Sequence, residues 1–96
     1  MTVVILEKVS PSLRGYLSRW LIEPKSGVFV GSVSALVRDE LWGKIQGRLG
    51  MGAAVQIWST NNEQGFAMRL AGERDRVLVD YEGLTLVKRL VKSNKH

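Results

Sequence analysis

Gly27-Val28-Phe29-Val30-Gly31 is a short run of β-branched and aromatic residues with a glycine at each end, the pattern of a strand held between two turns. A helical pattern lies on either side of it. Upstream, Ser10-Pro11 offers an N-cap followed by a first-turn proline. Leu13, Tyr16, Leu17, Trp20 and Leu21 then recur at helical spacing as one buried stripe. Arg14 and Arg19 fall off that stripe, and Pro24 closes the helical region. The residues from Ile22 to Lys25 read as an irregular hairpin partner. Downstream, a second helix is predicted over residues 34–48, with Val37, Leu41, Ile45 and Leu49 as its core row. Arg38 projects on the same side as Trp42 and Ile45. Two environments suit it: stacking on Trp42, or a specific carboxylate partner, including one across a subunit boundary.

Further out, Thr2-Val3-Val4-Ile5-Leu6 has the composition of a central buried strand. Gly50 and Gly52 end the second helix. Residues 53–60 and 66–70 read as strands around the hairpin loop Asn61-Asn62-Glu63-Gln64-Gly65. Residues 72–75 form a polar connection, 77–80 a short strand, 81–83 a turn and 84–91 a last strand. The order is β-α-β-(β)-α-β with β additions at the end. This predicts an α+β domain with both helices on one face of an antiparallel sheet, in the split β-α-β, ferredoxin-like form. Along residues 54–58, Val55 and Ile57 fall on one face, Ala54, Gln56 and Trp58 on the other. The face away from the helices needs cover, and a second subunit would provide it. Residues 1–91 form the expected domain, and 92–96 a basic disordered tail.

Ninety-six residues suffice for one domain, and 45% hydrophobic content marks a folded chain. Fourteen Lys and Arg against nine Asp and Glu give a net charge of +5, which favours an anionic partner, nucleic acid before membrane. There is no cysteine, and the only histidine is His96, the final residue. Disulfides, thiolate nucleophiles, histidine triads and His/Cys metal cages are therefore unsupported. No phosphate-cradling glycine motif of the nucleotide-binding folds occurs. The apolar start is cut short by Glu7 and Lys8, which argues against a signal peptide or membrane span and for a cytoplasmic location.

Several segments in order resemble a known family. They are Leu13-Arg14-Gly15, Trp20-Leu21, Gly27-Val28-Phe29-Val30-Gly31, Ser34-Ala35, Arg38 and Leu41-Trp42. They continue with Thr60-Asn61-Asn62-Glu63-Gln64-Gly65-Phe66 and Val79-Asp80-Tyr81-Glu82-Gly83-Leu84-Thr85-Leu86. Together the chain resembles CRISPR-associated protein two of the type I-E systems up to about Val91. The resemblance implies a ferredoxin-like fold and a two-fold homodimer. It implies work in CRISPR adaptation, where the dimer holds a foreign DNA duplex and bridges dimers of the spacer-integration integrase. The wider family also contains metal-dependent endonucleases acting on RNA or DNA.

In much of that family the first strand ends in an aromatic residue and an aspartate, and two such aspartates share a divalent ion across the dimer. Here Leu6-Glu7 stands at that place. Two copies of Glu7 would hold one Mg²⁺, whose bound water attacks a phosphodiester. The competing environment for Glu7 is a basic neighbour or solvent. Glu63 and Asn61 are read as shaping the hairpin loop, and Asp80 and Glu82 as serving the turn at Gly83 or a subunit contact. Arg14 is the candidate nucleic-acid contact of the first helix, and the resemblance adds Arg74 and Arg76, which stand where the type I-E pattern has basic residues; all would be directed at phosphates without base reading. Asp75 between the last two weakens that patch. Leu84, Leu86 and Leu90 on the last strand are the candidate protein-binding residues, through an edge that adds to a partner's sheet. The resemblance makes the integrase that partner.

Overall fold

A computed structural model describes residues 1–72 and 76–89. The element order is β1 (Thr2–Glu7), α1 (Pro11–Leu17), β2 (Ile22–Lys25), β3 (Val28–Gly31), α2 (Ala35–Gly47), β4 (Ala53–Ser59), β5 (Phe66–Ala71), β6 (Arg76–Tyr81) and β7 (Leu84–Arg89). Five strands form one sheet in the order β2-β3-β1-β4-β5, and β6 and β7 form a separate pair. Every pairing in both sheets is antiparallel. The fold is thus α+β with additional C-terminal strands, compatible with the expected ferredoxin-like arrangement. The tail 92–96 lies outside the described residues.

Strand β1 is central because it satisfies both edges at once, Val4 pairing with Phe29 on one side and Gln56 on the other. Its alternation sends Val4 and Leu6 to the helices and Ile5 and Glu7 the other way. The core gathers Val4, Leu6, Phe29 and Ala54 of the sheet with Leu13, Leu17, Leu41, Trp42 and Ile45 of the helices. At the edge, β2 carries Pro24 and pairs irregularly with β3, where a missing N–H costs no ladder bond.

Helix α1 is shorter than its apolar stripe suggests. Ser10 caps it, its side chain accepting from Leu13 N–H. At the other end, Arg19 N–H donates to Tyr16 O and Trp20 N–H to Leu17 O, tightening the last turn into i→i+3 bonds. Leu21 still reaches the core, but Trp20 swings off the stripe and is 46% exposed. Helix α2 starts as its Ser34 cap predicts, with Val37 N–H donating to Ser34 Oγ at 3.2 Å.

Two turns need glycine. Gly27 has φ +83°, and a Cβ there would stand 2.5 Å from Leu6 O; its own carbonyl accepts from Leu6 N–H at 2.7 Å. Between β6 and β7, Glu82 and Gly83 have φ of 49° and 85°, the paired left-handed conformation of a two-residue hairpin turn. In the 60–65 loop the shaping residue is Asn62, where Asn61 and Glu63 were expected. Its Oδ1 accepts from Gly65 N–H at 2.7 Å and its Nδ2 donates to Phe66 O.

Candidate nucleic-acid and subunit interface

The sheet has one covered face and one bare one. On the bare side stand Val3 and Ile5 of β1, Val28 and Val30 of β3, Val55 and Ile57 of β4, and Phe66, Met68 and Leu70 of β5, as the registers require. All are partly or fully accessible although all are apolar. A shallow cavity of about 380 Å³ lies there, lined by Ile5, Glu7, Val55, Ile57, Met68 and Leu70, with Val87 of β7 reaching over it.

Glu7 ends β1 opposite Ala53 and is exposed at the rim of this apolar cavity. Among the described residues, no group of three His, Cys, Asp or Glu side chains is placed to hold a metal ion. A hard cation such as Mg²⁺ wants a shell of oxygen donors. One chain's Glu7 in aliphatic surroundings does not fit that requirement by itself.

Arg14 leaves the flank of α1 that faces the β2–β3 turn. Its Nη2 donates to Glu23 Oε2 at 2.7 Å and to Ser26 Oγ at 3.3 Å. The same Glu23 oxygen accepts from Gly27 N–H at 2.8 Å. That backbone N–H and the Arg14 guanidinium hold the Glu23 carboxyl below its ordinary range. Arg14 is therefore oriented by a fixed carboxylate, and its side chain keeps 39% of its exposure. Arg76 opens β6 opposite Arg89. Arg74 lies outside the described residues.

The last strand carries Leu84 and Leu86 in accessible positions, 38% and 43% exposed; Leu90 lies outside the described residues. The hairpin is tied to the body by Gln64, which sequence reading passed over as a loop residue. Its Nε2 donates to Thr85 O and its Oε1 accepts from Thr85 N–H, both at 2.8 Å. The side-chain amide thus takes the place of a neighbouring strand at Thr85.

Arg38 stacks on Trp58, its Cζ 4.4 Å from the ring centroid, rather than on Trp42, the ring in the first of its two expected environments. The Trp42 face is taken by Arg69, at 5.1 Å, which also lies 4.8 Å from Trp58. The carboxylate partner of Arg38 is Asp39 of the same chain, at 3.1 Å. Arg69 Nη2 donates to the same Oδ1 at 2.9 Å, and Arg69 Nε donates to Gln56 Oε1 at 2.7 Å. Gln56, fully buried, completes the network by donating Nε2 to Arg38 O. The two arginines hold the Asp39 carboxyl below its ordinary range, Arg69 foremost. Arg69 was missed in the sequence. Its signal was the alternation of β5, where Phe66, Met68 and Leu70 share one face and Ala67, Arg69 and Ala71 the other.

Among the described residues no helix is long and apolar enough to cross a membrane. The sequence model of a family described as CRISPR-associated protein (Cas_Cas2CT1978) matches residues 1–86.

Proposed function

Because the chain belongs to this Cas2-type CRISPR-associated family, we propose that it acts as a homodimeric adaptor of CRISPR adaptation in the cytoplasm. It holds foreign duplex DNA and bridges integrase dimers for spacer acquisition, in the manner of the type I-E branch. The observation that carries this reading is the bare apolar face of the five-stranded sheet. A contiguous apolar surface of that kind on a small domain calls for a protein partner. A second copy of the same face is the economical one, since a two-fold axis makes a single patch self-complementary. The net charge of +5 and the anchored Arg14 suit phosphate contacts that accept any sequence. Leu84 and Leu86 on β7 suit the integrase contact.

The test is reconstitution. The purified protein and its integrase should co-elute and together insert a supplied duplex into a repeat-bearing acceptor; failure of both would sink the proposal. A second reading, a metal-dependent endonuclease on RNA or DNA, draws on the place of Glu7. Packing two bare faces about a two-fold axis would bring both copies of Glu7 to one interface, where a shared Mg²⁺ would have two carboxylates. Incubation of RNA and duplex DNA with and without Mg²⁺ separates the readings, and equal cleavage by Glu7→Ala would remove Glu7 from any mechanism.

A further inference from the structure

Cations lie beside both flanks of helix α1, one on the helix itself and two from neighbouring segments. Arg14 turns toward Glu23 and Ser26. Two residues on, Tyr16 faces the opposite way and packs against the core. Over its ring come two further cations, one from each helical segment. Arg19, just past the end of α1, places its Cζ 5.9 Å from the ring centroid. Lys44 of α2 places its Nζ 5.4 Å from the same centroid. Both side chains are exposed, and both distances fall within cation–π reach.

Neither cation takes part in an ion pair among the described residues, whose pairs are Arg14–Glu23, Arg38–Asp39 and Arg69–Asp39. Glu40 stands one helical turn before Lys44, the spacing at which a Glu–Lys pair commonly forms. Lys44 nevertheless lies over Tyr16. Each cation is an exposed positive charge outside the ion pairs among the described residues, and an anion brought to it gains Coulomb energy. A duplex offers phosphates in close series, which suits separate cations on neighbouring elements better than a single carboxylate does.

We propose that Arg19 and Lys44, gathered over Tyr16, form a second phosphate-contact site for duplex DNA on the helical layer, distinct from the Arg14 flank. The site rests on the nucleic-acid reading above and extends its footprint across both helices. It reads no bases, because exposed Lys and Arg on phosphates carry no sequence information.

The test is the salt dependence of binding to two labelled duplexes of unrelated sequence, for the wild type, Arg14→Ala and the double variant Arg19→Ala/Lys44→Ala. The expected result is a salt slope for the double variant shallower by about 1.8 per engaged copy, equally for both duplexes. Its far-ultraviolet circular dichroism and melting temperature should match the wild type. Arg19→Lys should keep the wild-type slope. Should the double variant fold poorly, Arg19→Gln and Lys44→Gln singly should each flatten the slope by about 0.9. An unchanged slope in these variants, beside a shallower one in Arg14→Ala, overturns this site and leaves the DNA reading standing. A loss confined to one duplex overturns the phosphate assignment. Absence of duplex binding by the wild type overturns both readings.

Discussion

Consecutive residues of β1 meet opposite fates. Val4 and Leu6 are 0% and 5% exposed, while Ile5 between them is 36% exposed. The residue types barely differ; the cover does. On one face two helices close a core around Phe29, and on the other the same apolar density is bare. The covered face holds the chain's own stability. The bare face holds apolar surface that the proposed second copy would bury. Substitutions on the two faces should therefore register in different measurements.

The largest effect is expected on the covered face. Phe29 is fully buried in β3, opposite Val4. Phe29→Ala removes the ring and leaves a cavity, which costs about 3–5 kcal/mol, a large part of a small domain's stability. Urea denaturation followed by circular dichroism should show a mostly unfolded variant even under mild conditions. A loss under 1 kcal/mol would mean that this side of the sheet is not the core.

Next comes the bare face. Ile57→Glu places a carboxylate in the middle of the proposed dimer contact, where it would have to be buried or expelled. Self-association measured by analytical ultracentrifugation should weaken at least about 30-fold, the equivalent of a 2 kcal/mol hot spot. The monomer itself should still fold. An unaltered dimer would move the interface elsewhere on the molecule.

On the covered face, where α2 meets β4 and β5, lies the arginine–tryptophan network. Arg69→Ala removes a cation that lies near both Trp42 and Trp58, leaves the buried Gln56 Oε1 without its donor and leaves Asp39 with Arg38 alone. An unsatisfied buried amide costs about 1–3 kcal/mol, and this loss should appear in denaturation without changing self-association. A coupled change in both would tie the network to the interface.

That the sheet has two unlike faces was legible in the alternation of β4, but which face the helices take was not, because Val3 to Leu6 of β1 are apolar at every position. A face in need of cover was expected from packing both helices on one side of the sheet. The network was not. Arg69 sits thirteen positions from Gln56 and thirty from Asp39, and such pairings exist only once the strands are in register. Arg38 was singled out correctly as needing a partner, yet the ring it found belongs to β4. Gln64 likewise looked like a loop polar residue until β7 arrived beside it. Trp20 followed the helical spacing in sequence, but the tightened turn after Leu17 took it off the stripe.

Acid titration probes the polar contacts of both halves. The Glu23 and Asp39 carboxyls are held below their ordinary values by Gly27 N–H with Arg14, and by Arg69 with Arg38, respectively. A depressed folded-state value means that each contact stabilises above the unfolded value and is lost as pH falls through the lower, folded one. Melting temperature should therefore be level near neutrality and decline as pH drops through and below the ordinary carboxylate range. Asp39→Asn and Glu23→Gln should each flatten that decline. A variant with the same acid slope as the wild type would remove its carboxylate from the account.

The smallest expected effect lies on the outer side of the helices and runs in the opposite direction. Gly43 is in the interior of α2, exposed, and a Cβ built on it meets nothing within 4 Å. Glycine in a helix interior costs about 0.8–1 kcal/mol relative to alanine, through backbone entropy that folding must remove. Gly43→Ala should therefore stabilise the protein by up to about 1 kcal/mol, raising the melting temperature by roughly 4–8 °C for a domain of this size. The gain would show that this surface is bare in the isolated protein, like the open face of the sheet but without its apolar character. The side chain gained is one methyl, so duplex binding by the adjacent Lys44 should survive it. If stability rises while duplex binding falls, a partner's backbone must approach the helix at Gly43, and the helical layer joins the open sheet face as a surface whose composition is set by what it meets.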